Sequence, residues 1–165
     1  MILIGIGANL PHPELGSPQD TCEAALASLQ KAGLVVSRRS RWYESAPVPA
    51  SDQPWFVNGI ALLEVEMSPA DLLTCLHAVE AQFGRVRQAT NAARVLDLDL
   101  LAYGSRVSAP GESPVLPHPR LAERAFVLLP LAELAPDWRH PVSGLSAAEL
   151  AARLPPGQTA RPLDD

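Results

Sequence analysis

The chain has 165 residues, 47% of them hydrophobic and 19% charged, with a formal net charge of −5. That length suits one domain with a core of its own, and the hydrophobic fraction excludes a disordered chain. The acidity excludes a broad electrostatic surface for nucleic acid, and no run approaches the ~20 apolar residues of a bilayer span.

Residues 2–7, Ile-Leu-Ile-Gly-Ile-Gly, form a continuous apolar run and read as a buried strand. No basic stretch precedes them, so they are not a signal peptide. Ser17-Pro18-Gln19-Asp20 is a helix start: a capping serine, a proline at the first helical position and an acid three residues on. The helix runs to about Ala32, with Cys22, Ala25, Leu26 and Leu29 on one face and Gly33 as its stop. Residues 34–43 read as a second strand. Ser45 to Pro54 holds three prolines and no periodicity, which predicts a long loop of the kind that carries function.

Residues 56–66 read as a third strand, and Ser68-Pro69-Ala70-Asp71 repeats the helix-start signal. That second helix carries Leu72, Leu76, Val79 and Phe83 on one stripe and stops at Gly84. Residues 85–94 form a polar loop, and 95–103 a fourth strand. Residues 121–135 are helical, bent or interrupted at Pro130, and Ser146 caps a last short helix. The order β-α-β-β-α-β predicts an α+β sandwich with an antiparallel four-stranded sheet, as one domain over 1–154. The polar tail 155–165 is expected to fray. Cys22 and Cys75 are too few for a disulfide scaffold or a zinc site, so a reducing, cytoplasmic setting is expected. The phosphate-binding P-loop is absent, and Gly5-Ile6-Gly7 lacks the third glycine of the dinucleotide motif.

Chemistry concentrates in Leu96-Asp97-Leu98-Asp99-Leu100. On a strand, alternate side chains share a face, so Asp97 and Asp99 point one way and the leucines the other. Two carboxylates ~7 Å apart at their α-carbons repel in a partly dry site, and a hard cation such as magnesium resolves that conflict. The plain alternative is an edge strand with two solvated aspartates. Arg85, Arg87 and Arg94 surround the 85–94 loop, and Arg124 follows later. Guanidinium groups bind phosphate oxygens through paired hydrogen bonds, so carboxylates for cations beside arginines for phosphates point to a polyphosphate substrate. His118, held between Pro117 and Pro119, sits in a stiff segment; it suits a nucleotide contact or simply a turn. Asn58 can read a heterocycle edge, and two facing rings among Trp55, Phe56 and Phe126 can sandwich it, although from pattern alone Phe126 reads as a core residue.

Taken in order, these segments resemble the 6-hydroxymethyl-7,8-dihydropterin pyrophosphokinases of folate biosynthesis. The resemblance runs from about Ile2 to Pro141. It rests on Gly7-Ala8-Asn9-Leu10, Tyr43-Glu44-Ser45-Ala46-Pro47 and Asp52-Gln53-Pro54-Trp55-Phe56-Val57-Asn58, then on Glu80 and Gly84-Arg85-Val86-Arg87. It continues through Arg94-Val95-Leu96-Asp97-Leu98-Asp99, Pro117-His118-Pro119 and Arg124-Ala125-Phe126. It implies a ferredoxin-like fold and pyrophosphoryl transfer from ATP to the hydroxymethyl oxygen of the pterin, releasing AMP. By motif, Asp97 and Asp99 hold two magnesium ions, and Arg87 and Arg94 serve catalysis with them. His77, Glu80, Arg85, Leu100, His118 and Arg124 bind ATP. Ser45, Val48, Phe56, Asn58 and Phe126 bind the pterin. The partners implied are these two small molecules alone, acted on by a monomer.

Overall fold

The computed structural model describes residues 1–84 and 95–164. The arginine-bearing loop 85–94, with Arg85, Arg87 and Arg94, lies outside the described residues. An antiparallel sheet is built around β1 (Ile2–Ala8), which pairs with β4 (Phe56–Glu64) on one side and β5 (Asp97–Tyr103) on the other. β2 (Val35–Arg39) and β3 (Tyr43–Ser45) both pair with β4, and β6 (Ala160–Pro162) extends the sheet beyond β3. β5 is one edge.

Two helices, α1 (Pro18–Lys31) and α2 (Pro69–Gln82), cover one face, over Ile4, Ile6, Leu98 and Leu100. On the other face, α3 (Ala125–Leu134) and α4 (Ala147–Ala152) close over Leu3, Ile60, Leu62 and Leu101. Strand alternation sorts the apolar run of β1 into these two cores, and a strand buried on both sides needs apolar residues in succession. The fold is the expected α+β sandwich of ferredoxin-like type, with a second helical layer from the C-terminal part. Among the described residues no helix is long and apolar enough to cross a membrane.

Ser17, Ser68 and Ser146 cap their helices, each hydroxyl accepting a backbone N–H three residues on. Three segments differ from the sequence expectation. The single strand over 34–43 is two strands, broken at 40–42. There the Ser40 hydroxyl accepts from the Ile60 N–H and donates to the Arg41 carbonyl. Trp42 then turns inward onto Gly59, where a Cβ would lie 2.6 Å from its ring. The helix over 121–135 begins as a 3-10 turn (Leu121–Glu123), is broken by the extended backbone of Arg124, and passes Pro130 without interruption. The tail pairs rather than frays: β6 aligns with β3, the Leu163 N–H donates to the Trp42 carbonyl at 2.8 Å, and Arg161 pairs with Glu44 and stacks on Trp55.

Candidate functional site

Asp97 and Asp99 stand in β5 opposite Gly7 and Gly5 of β1. Their neighbours Leu98 and Leu100 point into the core beneath α1 and α2, so the carboxylates lie on the other face. A Cβ built on Gly5 would sit 3.8 Å from Asp99 Cβ, which places the glycines and aspartates on one surface. Both carboxylates are half-buried and line a cleft of about 540 Å³. A smaller hollow beside it is floored by Gly5 and Gly7 and walled by Phe126 and Val127 from the first turn of α3.

Two contacts hold the edge of the aspartate strand. The Glu80 carboxylate, 1% exposed on α2, accepts the Leu98 N–H at 2.9 Å. The His118 N–H donates to the Leu101 carbonyl at 2.8 Å. Leu100 lies between these anchors and lines the cleft. His77 precedes Glu80 by about one helical turn and reaches the same cleft. His118 accepts the Arg120 N–H on Nδ1 at 3.1 Å. Burial holds its pKa below the usual 6.5; the Arg124 charge pushes the same way, with Asp97 opposing and Arg120 adding a smaller push. The ring is therefore neutral at pH 7, with a lone pair on Nδ1.

Polar and aromatic side chains share another part of the cleft lining. Asn58 of β4, 6% exposed, donates from Nδ2 to Ser45 Oγ at 2.6 Å, and its Oδ1 faces Gly7. Phe56, Val48 and Phe126 line the same region, and the Arg124 guanidinium lies 5.3 Å from the centre of the Phe126 ring. Ser45 itself sits behind Asn58 rather than on the cleft wall. Asn9 donates to Gln53 Oε1 at 3.1 Å and to the Pro54 carbonyl at 3.0 Å, which pins the proline-rich loop to the end of β1.

The structure thus brings Asp97, Asp99, His77, Glu80, Leu100, His118, Arg124, Val48, Phe56, Asn58 and Phe126 to one cleft, from residues far apart in the chain. Sequence reasoning missed the glycine floor, whose signal is the alternation Ile4-Gly5-Ile6-Gly7. It also missed the wall at Ser113-Pro114-Val115, which carries no signal of its own. Among the described residues no group of three or more His, Cys, Asp or Glu side chains is placed to hold a metal ion by itself. Two aspartates supply hard oxygen donors and leave most of a cation's coordination positions to other oxygens, such as those of a phosphate chain. That donor set fits magnesium.

Comparison with known proteins agrees with this layout. A family model, 7,8-dihydro-6-hydroxymethylpterin-pyrophosphokinase, matches residues 3–136. The 2-amino-4-hydroxy-6-hydroxymethyldihydropteridine pyrophosphokinase of Synechocystis is 41% identical over 149 residues, covering 90% of this chain and 73% of the relative. The Pseudomonas aeruginosa protein of the same name is 40% identical over 157 residues, covering 93% of this chain and 91% of the relative. A crystal structure of Plasmodium falciparum HPPK-DHPS superposes with a TM-score of 0.70 at 12% identity, over 92% of this chain and 44% of that one, a likeness of fold. This chain accordingly belongs to the 7,8-dihydro-6-hydroxymethylpterin-pyrophosphokinase family.

Proposed function

We propose that the cleft transfers the terminal pyrophosphoryl group of ATP to the hydroxymethyl oxygen of 6-hydroxymethyl-7,8-dihydropterin, with two magnesium ions held by Asp97 and Asp99. Pyrophosphokinase activity in folate biosynthesis follows from the family to which the chain belongs. The observation that carries the finer reading is the pair of carboxylates on one face of an edge strand, lining one cleft together with His118, Arg124, Asn58, Phe56 and Phe126.

In the reaction the pterin hydroxymethyl oxygen forms a bond to the β-phosphorus of ATP. The bond from that phosphorus to the oxygen bridging the α-phosphorus breaks, AMP departs with that oxygen, and the hydroxyl proton passes to water. Magnesium held by Asp97 and Asp99 would supply charge neutralisation at the phosphates and a lowered pKa at the attacking hydroxyl. The protein's part is positioning and electrostatics. Asn58 presents its amide to the pterin edge while Ser45 fixes the amide's orientation; Phe56 and Phe126 stack the ring, and Val48 borders it. Arg124 and neutral His118 face the phosphates. His77 and Leu100 border the nucleotide. Glu80 acts less as a nucleotide contact than as the anchor of the aspartate strand. Arg85, Arg87 and Arg94 lie outside the described residues; the family resemblance gives them the role of supplying positive charge to the phosphates. The chain works as a cytoplasmic monomer.

The test is product analysis. Incubation with ATP, magnesium and the pterin alcohol should yield AMP and the pterin diphosphate in equal amounts, with none formed without the alcohol. Release of phosphate or ADP irrespective of the alcohol would assign the aspartates to a hydrolase instead.

A further inference from the structure

The segment that follows α4 lies beyond residues 3–136, the span matched by the family model. In this chain it is stitched to both walls of the ring-binding end of the cleft. Gly157, at φ 93°, turns the chain in the left-handed region, and Gln158 follows it. The Gln158 side chain straddles Arg124: Oε1 accepts the Ala125 N–H at 2.9 Å, and Nε2 donates to the Glu123 carbonyl at 2.7 Å. The first N–H groups of a helix have no partner within the helix, and α3 has no capping side chain of its own at Arg124. Gln158 supplies that cap from a distant part of the chain. The next residue takes hold of the opposite wall: the Thr159 carbonyl accepts the Ala46 N–H at 3.1 Å, and β6 then pairs with β3, whose Ser45 orients Asn58.

We propose that Gln158 is a positioning residue for the pterin: it fixes the peptide on both sides of Arg124 and so sets the start of α3 and the height of the Phe126 ring above the site. The inference rests on the reading of Phe126 and Asn58 as pterin contacts. A phenylalanine has only two side-chain torsions, so a shift in its backbone moves the ring directly. The long side chain of Arg124 can absorb the same shift and still reach a phosphate.

The test uses the full-length chain carrying Gln158→Ala or Gln158→Glu, with AMP formation followed under varied pterin and varied ATP. Gln158→Ala should raise the pterin KM about fivefold, the size expected when a half-buried hydrogen bond is lost, while the ATP KM stays within about twofold. Gln158→Glu keeps the acceptor for the Ala125 N–H and loses the donor to Glu123, so its pterin KM should fall between those of the wild type and the alanine variant. A pterin KM unchanged in Gln158→Ala, or both KM values rising together, overturns the positioning role. If the wild type itself forms no AMP from the pterin alcohol, the assignment of the cleft fails first, and the role of Gln158 in that reaction falls with it.

Discussion

Replacing Gly7 by alanine should separate pterin binding from the rest of the cleft. Gly7 is an ordinary strand residue whose φ is not positive, so alanine meets no backbone strain there and restricts the unfolded chain, a gain of ~0.4–1 kcal/mol. The new methyl group is the difficulty. Its Cβ would lie 2.8 Å from Asn58 Oδ1, about 0.6 Å inside ordinary contact at 3.4 Å. Asn58 is buried, and its Nδ2 is committed to Ser45 Oγ at 2.6 Å. Rotating the amide away gives up that bond, at ~1 kcal/mol, and spreading β1 from β4 costs ~1–3 kcal/mol. After the gain in the unfolded state, the net loss of stability is ~1–3.5 kcal/mol, or several degrees in Tm. The displaced amide also forfeits its bonds to the ring, so pterin affinity should fall about tenfold or more. Calorimetric titration in magnesium with the pterin and with a non-hydrolysable ATP analogue measures the affinities, and a thermal melt measures the stability; the affinity for the ATP analogue should change less than about twofold. Wild-type pterin affinity at an unchanged Tm would refute the reasoning, because it would mean that neither the glycine nor the amide is held by the other.

Asp97→Asn and Asp99→Asn should each lower turnover at least ~1000-fold while a thermal melt shows the chain still folded. Chelation of divalent cations should abolish wild-type activity and added magnesium restore it; turnover that survives a strong chelator would exclude the cation assignment. His118 should titrate below 6.5 in an NMR experiment on the free protein, because burial first and Arg124 second disfavour its charged form. The unfolded chain binds that proton more readily, so this contribution to stability is fully present above about pH 6.5 and is lost as pH falls through the folded value. A measured value at or above 6.5 would show that the ring is not desolvated. Burial, with Glu23 adding to it, pushes the Cys22 thiol up to about 12, so a thiol reagent at pH 8 should leave Cys22 unlabelled until the chain is denatured.

The strands and helices were legible where one local rule dominates. Serine caps with a following proline mark α1 and α2, and the apolar runs of β1, β4 and β5 match a sheet covered on both faces. The break at 40–42 was not legible, because it depends on Trp42 filling the space left by Gly59, a residue seventeen positions away. The pairing of the tail was hidden for a similar reason. Ala160-Arg161-Pro162 has little strand propensity, and it is held by β3, Glu44 and Trp55 rather than by its own pattern. In the site, the aspartate pair could be read from alternation alone. The role of Glu80 could not: a glutamate on a helix reads as solvated until its carboxylate is seen to accept the Leu98 N–H of β5.

The sequence Ile4-Gly5-Ile6-Gly7 joins the two halves of the design. An edge strand exposes backbone groups that invite pairing with other chains, and proteins usually blunt such edges. Here β5 is blunted by the Glu80 carboxylate and the His118 backbone N–H, while its carboxylate face lines the cleft. For the proposed function, the neighbouring strand must add no bulk beside that face. β1 meets both demands through its period of two: Ile4 and Ile6 anchor the core beneath α1 and α2, while Gly5 and Gly7 leave the floor beside Asp99 and Asp97 bare. A glycine pair that resembles a fragment of a nucleotide-binding loop thus acts through what it omits. The strand's stability comes from its isoleucines, and the room in the cleft comes from the residues between them.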